Sequence, residues 1–260
     1  MEGNMKVITI ATQKGGTGKT TTAAALASCI RRKGRRVLLI DLDQQRNLSR
    51  MLEADTTTAG KTSLALLLQA ADARQVIQHT KQGDIIAAGK NLQAADIALK
   101  EITGKEYHLK EALSGLEKEY DYIVIDCPPA LGVVTVNALT AADIVVIPAE
   151  AAGFSMDGMD DIAETIRQVK KYCNRKLKIG GILLTRYEAN SNLSKAMIDI
   201  AGGLAEQLHT KLYKASIRNS VKVREAQLLK QDLFAYAGKS NPAADYEAFT
   251  EELLKDIKGE

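Results

Sequence analysis

The sequence predicts an α/β fold in which a doubly wound, mostly parallel sheet is flanked by helices. Six short apolar runs are rich in β-branched residues, and most of them end in Gly, Pro, Asp or Thr, as buried parallel strands do. Longer stretches with helical periodicity separate the runs, so strand and helix alternate. Binding loops are then expected at the carboxyl ends of the strands. The six runs are KVITIAT, RRVLLIDLD, GDIIAAG, YDYIVIDCPP, DIVVIPAE and IGGILLTRYE.

The segments between the predicted strands are expected to form helices and loops. Residues 53–62, EADTTTAGKT, are typical of an exposed loop, and residues 188–195, EANSNLSK, of a loop that leads into a helix. Apolar residues at helical spacing mark two of the helices. They are Ala24, Leu26, Ala27 and Ile30 in the first, and Ile162, Ile166 and Val169 in a later one.

The last predicted helix spans residues 244–258 and is amphipathic. It places Tyr246, Phe249, Leu253 and Ile257 on one face, and mostly acidic residues elsewhere. A helix that lies on a membrane surface needs a basic polar face instead. We therefore expect this helix to pack on the core.

Size and composition are those of an ordinary globular protein. The chain has 260 residues, 45% hydrophobic and 26% charged, with no repeat or low-complexity tract. This length allows one large α/β domain or two smaller ones, and we favour a single domain over residues 1–260. Only a few residues precede the first strand, so no amino-terminal helix-turn-helix domain is expected.

The sequence favours a cytoplasmic protein. It contains no apolar run of the ~18 residues that a membrane span needs, and its amino terminus lacks the pattern of a secretion signal. Cys29, Cys127 and Cys173 are scattered and have no C-x-x-C spacing, so they indicate neither a disulfide framework nor a zinc site. We interpret all three as reduced thiols.

Charge is distributed unevenly along the chain. Residues 165–230 contain 14 Lys or Arg against four Asp or Glu, although the whole chain has a net charge of only +3. The remaining residues are therefore acidic overall. This asymmetry suggests a polyanionic partner, and the alternative is a solvated face without a ligand.

The stretch ITIATQKGGTGKTTTAAALA, residues 8–27, contains a phosphate-binding loop. The usual pattern, G-x-x-x-x-G-K-S/T, requires a glycine where Gln13 stands, and an additional lysine, Lys14, follows. Two lysines, Lys14 and Lys19, repel each other unless an anion lies between or beyond them. A glycine turn that merely precedes a lysine is the alternative, and the G-K-T-T offset argues against it.

The loop residues have separate tasks in phosphate binding. Gly15, Gly16 and Gly18 allow positive φ angles and close approach of backbone N–H groups to phosphate, and the following helix adds its positive dipole end. Lys19 is expected to reach the β- and γ-phosphates, and the Thr20 hydroxyl to hold Mg²⁺.

The run from Lys14 to Thr21 resembles the deviant phosphate loop, K-G-G-x-G-K-S/T-T, of the ParA/Soj and MinD group of P-loop ATPases. The resemblance covers nearly the whole chain, from Met5 to about Leu254. It implies a homodimer that sandwiches two ATP molecules, with Lys14 crossing to the partner's nucleotide like an arginine finger. The nucleotide-binding residues implied are Lys14, Gly15, Gly16, Thr17, Gly18, Lys19, Thr20, Thr21, Arg218 and Asn219.

Two further motifs resemble those of the same family. VLLIDLDQQRNLS is similar to its second motif, which implies that Asp43 orients the attacking water and that Asp41 lies near the magnesium shell. YDYIVIDCPPALGVVTVNAL is similar to its third motif, which implies that Asp126 binds a magnesium-bound water. A strand-ending turn is the alternative interpretation of all three aspartates. The implied catalytic residues are Lys14, Lys19 and Asp43.

The resemblance also implies a function in DNA partition. ATP-bound dimers bind double-stranded DNA without sequence preference, and a ParB-type centromere-binding adaptor stimulates a slow hydrolysis that releases them from the nucleoid. Gln44 and Arg46 depart from the family's proline and glycine, and Asn190 stands where a basic residue is frequent. The candidate DNA contacts are Arg186, Lys195, Arg218, Lys222 and Arg224.

Three other functions remain open at this point. A MinD-like membrane-associated positioning ATPase shares the loop, but the basic amphipathic tail is missing. A metabolic P-loop ligase or kinase also shares it, but needs neither Lys14 nor a basic segment. The third is a binding module that holds nucleotide as a structural ligand, and the complete set of Lys19, Thr20, Asp43 and Asp126 argues against it.

Overall fold

A computed structural model describes residues 5–58, 60–150, 156–188 and 192–259, with only the backbone for 156–159 and 192–195. Within these residues, seven strands form one sheet in the order β3-β4-β2-β5-β1-β6-β7. All neighbours are parallel except β3 and β4, which pair antiparallel. The strands are β1 Lys6–Ile10, β2 Val37–Asp41, β3 Ile77–Thr80, β4 Gly83–Ile86, β5 Tyr122–Asp126, β6 Ile144–Glu150 and β7 Lys178–Thr185.

Twelve α-helices connect the strands in the described part of the chain, and two 3₁₀ turns lie at Leu92–Ala94 and Lys105–Tyr107. The predicted doubly wound fold is confirmed. The helices are α1 Lys19–Arg32, α2 Asn47–Met51, α3 Ser63–Leu67, α4 Ala73–Val76, α5 Ala95–Ala98, α6 His108–Ala112, α7 Val133–Ala141, α8 Met156–Tyr172, α9 Asn192–Gln207, α10 Val221–Leu228, α11 Leu233–Ala237 and α12 Asn241–Lys258.

The sheet separates two hydrophobic clusters because successive strand residues point to opposite faces. In β2, Leu38 and Ile40 belong to the cluster that α6 to α9 cover. Val37 and Leu39 belong to the cluster that α1, α11 and α12 cover. Every residue of β2 is buried, which is why the central strands read as continuous apolar runs.

All six predicted strands are present, and one strand was missed. The missing strand, β3, has the sequence IQHT and is mostly half-buried at the edge of the sheet. It joins β4 through a tight turn in which Gly83 has a φ of 121°, a conformation that favours glycine. An edge strand of this kind lacks the apolar run by which the other strands were found.

The final helix packs on the core as predicted. In α12, Tyr246, Phe249 and Leu253 are buried, and the Tyr246 hydroxyl lies 3.2 Å from the hydroxyl of Thr22 in α1. The helix begins at Asn241, three residues before the predicted start. No helix among the described residues is long and apolar enough to cross a membrane.

Helix α9 shortens the second predicted loop. It begins at Asn192, inside the predicted loop of residues 188–195, whereas residues 189–191 lie outside the described residues, as does the departure at Asn190. The apolar positions predicted for α1 and α8 are all buried. Helical spacing therefore identified the two core-facing sides correctly.

Candidate phosphate-binding site

An open cavity of about 590 Å³ lies at the carboxyl ends of the central parallel strands. The glycine-rich loop between β1 and α1 forms one wall, and the loop after β2 forms another. Ligands of open α/β sheets bind at this position because the loops after neighbouring strands diverge there. The lining includes Gly15, Gly16, Gly18, Lys19, Thr20, Thr21, Asp43, Gln45 and Arg186.

The glycine-rich loop adopts a conformation that its glycines permit. Gly16 and Gly18 have φ angles of 80° and 86°, in the left-handed region. The Thr185 hydroxyl at the end of β7 donates to the Thr17 carbonyl oxygen over 2.9 Å, which links the loop to a strand two positions away from β1 in the sheet. Lys19, Thr20 and Thr21 at the start of α1 line the cavity, and the N–H groups of a first helical turn have no partners within the helix, so this end of α1 suits an anion.

The two lysines of the loop lie in different environments. Lys19 is buried, and its Nζ donates to the Lys14 carbonyl oxygen over 2.9 Å. Burial lowers the pKa of Lys19, and the carboxylates of Asp126 and Asp43 oppose this shift. Lys14 itself is exposed. The loop therefore directs one lysine into the cavity and leaves the other at the molecular surface.

Asp41 organises the turn that follows β2. Its carboxylate accepts hydrogen bonds from the Ser49 hydroxyl at 2.6 Å, the Ser49 N–H at 2.8 Å and the Asp43 N–H at 3.0 Å. Burial raises the pKa of Asp41 to about 6, against the opposing effect of these hydrogen bonds. Both carboxylate oxygens of Asp41 thus accept hydrogen bonds from the protein. That Asp41 lies near the magnesium shell stays a prediction.

Asp43 lies at the cavity, and the turn after it holds a strained residue. One Asp43 oxygen accepts from the Gln45 N–H over 2.9 Å, and the side chain is nearly buried. Arg46, which stands where the family has glycine, adopts a φ of 57°, and its N–H donates to the Asp43 carbonyl oxygen over 2.8 Å. A left-handed conformation costs a non-glycine residue roughly 1–2 kcal/mol.

Asp126 is the carboxylate that best fits a bound cation. It is fully buried, and neither oxygen has a hydrogen bond of normal geometry to any described residue. Burial raises the pKa of Asp126 well above its ordinary value, the Asp41 carboxylate adds to the rise, and the Thr20 hydroxyl and Lys19 oppose it. A buried carboxylate whose oxygens lack hydrogen bonds of normal geometry is costly unless a positive ligand binds to it.

The oxygen donors fit magnesium rather than a metal held in a protein cage. Among the described residues, no group of three or more His, Cys, Asp or Glu side chains could hold a metal ion. Mg²⁺ is usually bound by one or two protein oxygens, together with substrate phosphates and water. Thr20 and Asp126 match that pattern.

Asp126→Asn is expected to stabilise the nucleotide-free protein by about 1–3 kcal/mol, because it removes the charge of a fully buried carboxylate that has no hydrogen bond of normal geometry. Since the pKa of Asp126 is raised in the folded state, the cost of the carboxylate is absent at low pH and grows as pH rises above about 4. The gain should therefore increase with pH in urea unfolding. Asp121→Asn, at the other end of β5, removes a pair with Arg36 and should not stabilise; equal gains from both variants contradict this account.

Cys127 follows Asp126 and is a packed thiol. It is fully buried, its N–H donates to the Ile10 carbonyl oxygen, and burial raises the pKa of its thiol well above the ordinary value. A thiol of high pKa in apolar surroundings is unreactive.

A second cavity of about 270 Å³ adjoins the phosphate loop and shares Gly18 and Thr21 with the first. Arg218 and Asn219, which the family resemblance implied as nucleotide contacts, both line it. The Asn219 amide donates to Glu188 over 2.8 Å. The structure thus places both residues at a cavity that includes two residues of the phosphate loop, and their contact with a nucleotide stays a prediction.

Two of the five candidate DNA contacts have acidic partners at the cavities. The Arg218 guanidinium pairs with Asp245 at 2.6 Å, and the Arg186 guanidinium pairs with Glu150 at 2.8 Å. Both arginines line a cavity. Their positions suit the nucleotide site at least as well as an outer DNA surface.

Helix α10 carries two more candidates. Lys222 pairs with Glu225 at 2.9 Å, whereas Arg224 is exposed and forms no hydrogen bond or ion pair with the described residues. The side chain of Lys195, in α9, lies outside the described residues. Arg224 is thus the candidate whose charge is least compensated among those described, and it lines the second cavity as Arg186 and Arg218 do.

The basic residues of segment 165–230 do not lie together at one end of the molecule. Its first part lies at the end of α8 and the start of β7, whereas Arg186 and Arg218 lie at the end of β7, and Lys211 lies beside Ile182 in the middle of that strand. The two ends of β7 are about 23 Å apart, because the strand has eight residues. The first part contains Arg167, Lys170, Lys171, Arg175, Lys176 and Lys178.

Sequence reasoning missed three residues that organise the site. Ser49 anchors Asp41, Thr185 anchors the phosphate loop, and Gln227 donates to the Thr21 hydroxyl over 2.7 Å. Ser49 and Thr185 each lie within motifs quoted for other reasons. Gln227 comes from a distant part of the chain, and no local pattern marks it.

The parallel sheet, the phosphate loop at the start of α1 and the acidic residues opposite it define a P-loop nucleotide-binding protein. A family model described as an AAA domain matches residues 5–179. The chain is 37% identical over 243 residues to the sporulation initiation inhibitor protein Soj of Bacillus subtilis, covering 93% of this chain and 95% of that protein. It is 34% identical to the chromosome partitioning protein ParA of Caulobacter vibrioides, covering 96% and 94%.

A solved structure gives the same assignment of fold. Cobyrinic acid a,c-diamide synthase from Mycobacterium smegmatis, with bound ADP and magnesium, superposes with a TM-score of 0.85 at 31% identity, over 98% of this chain and 96% of that chain. The chain belongs to the ParA/Soj group of P-loop ATPases, which confirms the family resemblance drawn from the motifs.

Proposed function

We propose that this protein is a partition ATPase that binds DNA as an ATP-bound dimer and leaves it on hydrolysis. The observation that carries the proposal is the pair of lysines in the phosphate loop, Lys19 buried at the cavity and Lys14 exposed beside it. The names of the relatives, Soj and ParA, support partition as the process.

ATP and Mg²⁺ are the cofactors that the site accommodates. Backbone N–H groups at the start of α1 and the Lys19 ammonium bind the phosphates, and Thr20 and Asp126 hold the magnesium, Asp126 through water. Bound magnesium neutralises charge that builds up on the phosphate oxygens. The second cavity, with Arg218 and Asn219, accommodates the nucleoside.

Hydrolysis requires an activated water and compensation of the charge on the transferred phosphoryl group. Asp43 lies at the cavity and can orient the water by accepting its hydrogen bond. Lys14 reaches the nucleotide of a second subunit, so the complete site forms only in the dimer. Slow turnover follows, because a monomer lacks one of the cations that stabilise the transition state.

DNA binding uses positive charge near the carboxyl end of the sheet, with Arg224 the least compensated of the described candidates. Phosphate contacts of this kind are independent of sequence and weaken with salt. A dimer doubles the charged surface, so ATP controls the affinity for DNA. A ParB-type adaptor at a centromere-like site then stimulates hydrolysis, with the protein on the nucleoid in the cytoplasm.

Size-exclusion chromatography with light scattering tests the first step. We expect a monomer with ADP-Mg²⁺ or without nucleotide, and a dimer with ATP-Mg²⁺. When random-sequence duplex DNA is added together with ATP-Mg²⁺, we expect the dimer to bind it. The bound DNA is detected as an increase in the mass of the dimer peak. An unchanged monomer in ATP contradicts the proposal.

One observation favours a second candidate function. The structural relative from M. smegmatis carries the name of a diamide synthase, so a metabolic ATP-dependent enzyme remains an alternative. ADP release can be measured with cobyrinic acid and a nitrogen donor, such as ammonium, in one sample and with duplex DNA plus a ParB-type adaptor in another. Stimulation by cobyrinic acid alone contradicts the partition proposal, and stimulation by DNA and adaptor supports it.

A further inference from the structure

Gln227 on α10 connects that helix directly to the phosphate loop helix. Its side-chain amide nitrogen donates to the Thr21 hydroxyl oxygen over 2.7 Å. Gln227 and Thr21 both line the two cavities, so the hydrogen bond lies where the phosphate site meets its neighbour. Thr21 directly follows Thr20, the residue assigned to magnesium.

The direction of this hydrogen bond determines what Thr21 can offer to a ligand. An amide nitrogen can only donate, so Gln227 occupies a lone pair of the Thr21 oxygen and leaves the hydroxyl proton available. Phosphate oxygens only accept hydrogen bonds. The Thr21 hydroxyl is therefore held in the orientation in which it can donate to a phosphate.

Helix α10 has few other attachments to the rest of the protein. Of its eight residues only Ala226 is buried, and both Val221 and Leu228 are exposed. The Tyr236 hydroxyl donates to Glu225 over 2.9 Å, which links α10 to the next helix rather than to the phosphate loop. The position of a lightly packed helix responds to single polar contacts.

We propose that Gln227 is a positioning residue that fixes the Thr21 hydroxyl for phosphate binding and couples an occupied phosphate site to α10. This inference rests on the proposed binding of ATP but not on the proposed binding of DNA. A phosphate that accepts from Thr21 strengthens the Gln227 bond, because linked hydrogen bonds polarise each other. The occupied loop then holds α10, with Lys222 and Arg224, more firmly.

Titration with ribose-labelled fluorescent ATP and Mg²⁺ tests the positioning role. Loss of the donor in Gln227→Ala should raise the Kd about threefold to tenfold, the effect of one hydrogen bond. Gln227→Glu should raise it further, because the carboxylate takes the Thr21 proton and adds negative charge near phosphate. Gln231→Glu, four residues later and outside both cavities, controls for charge and should bind like the wild type.

A double-mutant cycle separates positioning from a general structural effect. In a Thr21→Val background, Gln227→Ala should have no further effect on the Kd, because the hydroxyl that it positions is gone. Equal effects of Gln227→Ala in both backgrounds, or a Kd within twofold of the wild type for both Gln227 variants, overturn the inference.

Hydrogen exchange tests the coupling to α10. ATP should slow the exchange of amides in residues 221–230 of the wild type, and this protection should disappear in Gln227→Ala at saturating nucleotide. Unchanged protection in the variant overturns the coupling. If the wild type binds no labelled ATP, the assignment of the nucleotide site is wrong. If it binds ATP but not DNA, only the partition proposal fails.

Discussion

Lys14→Ala is expected to abolish ATP-dependent dimerisation and to reduce hydrolysis at least about 100-fold, while the Kd for ATP changes less than about threefold. A cation that stabilises the transferred phosphoryl group is worth several kcal/mol in the transition state. Lys14 is exposed beside the cavity, and the proposed function assigns its phosphate contact to the nucleotide of a second subunit. Light scattering in ATP and a phosphate-release assay measure the two effects.

Controls for this variant come from the same chain. Lys81→Ala removes an exposed lysine in the turn between β3 and β4, and it should dimerise and turn over like the wild type. Lys19→Ala should lose ATP binding itself, because its ammonium lies in the cavity of its own subunit. Normal ATP dimers with normal turnover in Lys14→Ala contradict a role across the interface.

Asp43→Ala has the second large expected effect. The variant should keep ATP binding and the dimer but lose hydrolysis by about 100-fold or more, because general-base and water-orienting groups contribute roughly 10²–10⁴ in rate. The protein should then remain on DNA after ATP is added. Residence on a DNA-coated surface, measured by interferometry after a wash without nucleotide, reports this directly.

Two further variants distinguish the loss of water positioning from a structural effect of the Asp43 substitution. Asp43→Asn keeps a similar shape and an acceptor oxygen for the Gln45 N–H, yet lacks the charge, so it should also lose hydrolysis. Asp199→Ala, exposed on α9, should leave turnover and DNA release unchanged. Wild-type turnover in both Asp43 variants contradicts the assignment of water positioning.

The strands and the phosphate loop could be predicted because their signals are local. Four central strands, β1, β2, β5 and β6, are almost wholly buried and read as apolar runs, and the loop brings Lys14, Lys19 and Thr20 into one short segment. The edge strand β3 could not be found in this way, because a half-buried edge needs no apolar run. The tight turn next to Gly83 pairs β3 with β4.

The different hydrogen bonding of Asp41 and Asp126 could not be predicted from the sequence. Asp41 and Asp126 both end buried strands and are Cα partners in the sheet. Only the structure shows that Ser49 satisfies Asp41 while Asp126 lacks a normal hydrogen bond. The contact between Gln227 and Thr21 spans 206 positions of the chain, which no local pattern can reveal.

The net charge of a sequence segment also did not predict how its basic residues are distributed over the surface. The basic segment is one block in the sequence, but in the structure its residues are spread along the length of β7, from Lys178 at its start, through Lys211 beside Ile182, to Arg186 and Arg218 at its end. In addition, Lys211 and Arg218 pair with acidic residues of α12. The charge available to DNA near the nucleotide site is therefore smaller than the sequence count suggests.

The central claim, that ATP controls DNA binding, is tested most directly by fluorescence anisotropy of a random-sequence duplex. The protein is titrated in ATP-Mg²⁺, in ADP-Mg²⁺ and without nucleotide, each at two salt concentrations. Our account predicts tight binding only with ATP, weakened strongly by the higher salt. Equal binding in ATP and ADP, or no binding in any of the three, contradicts it.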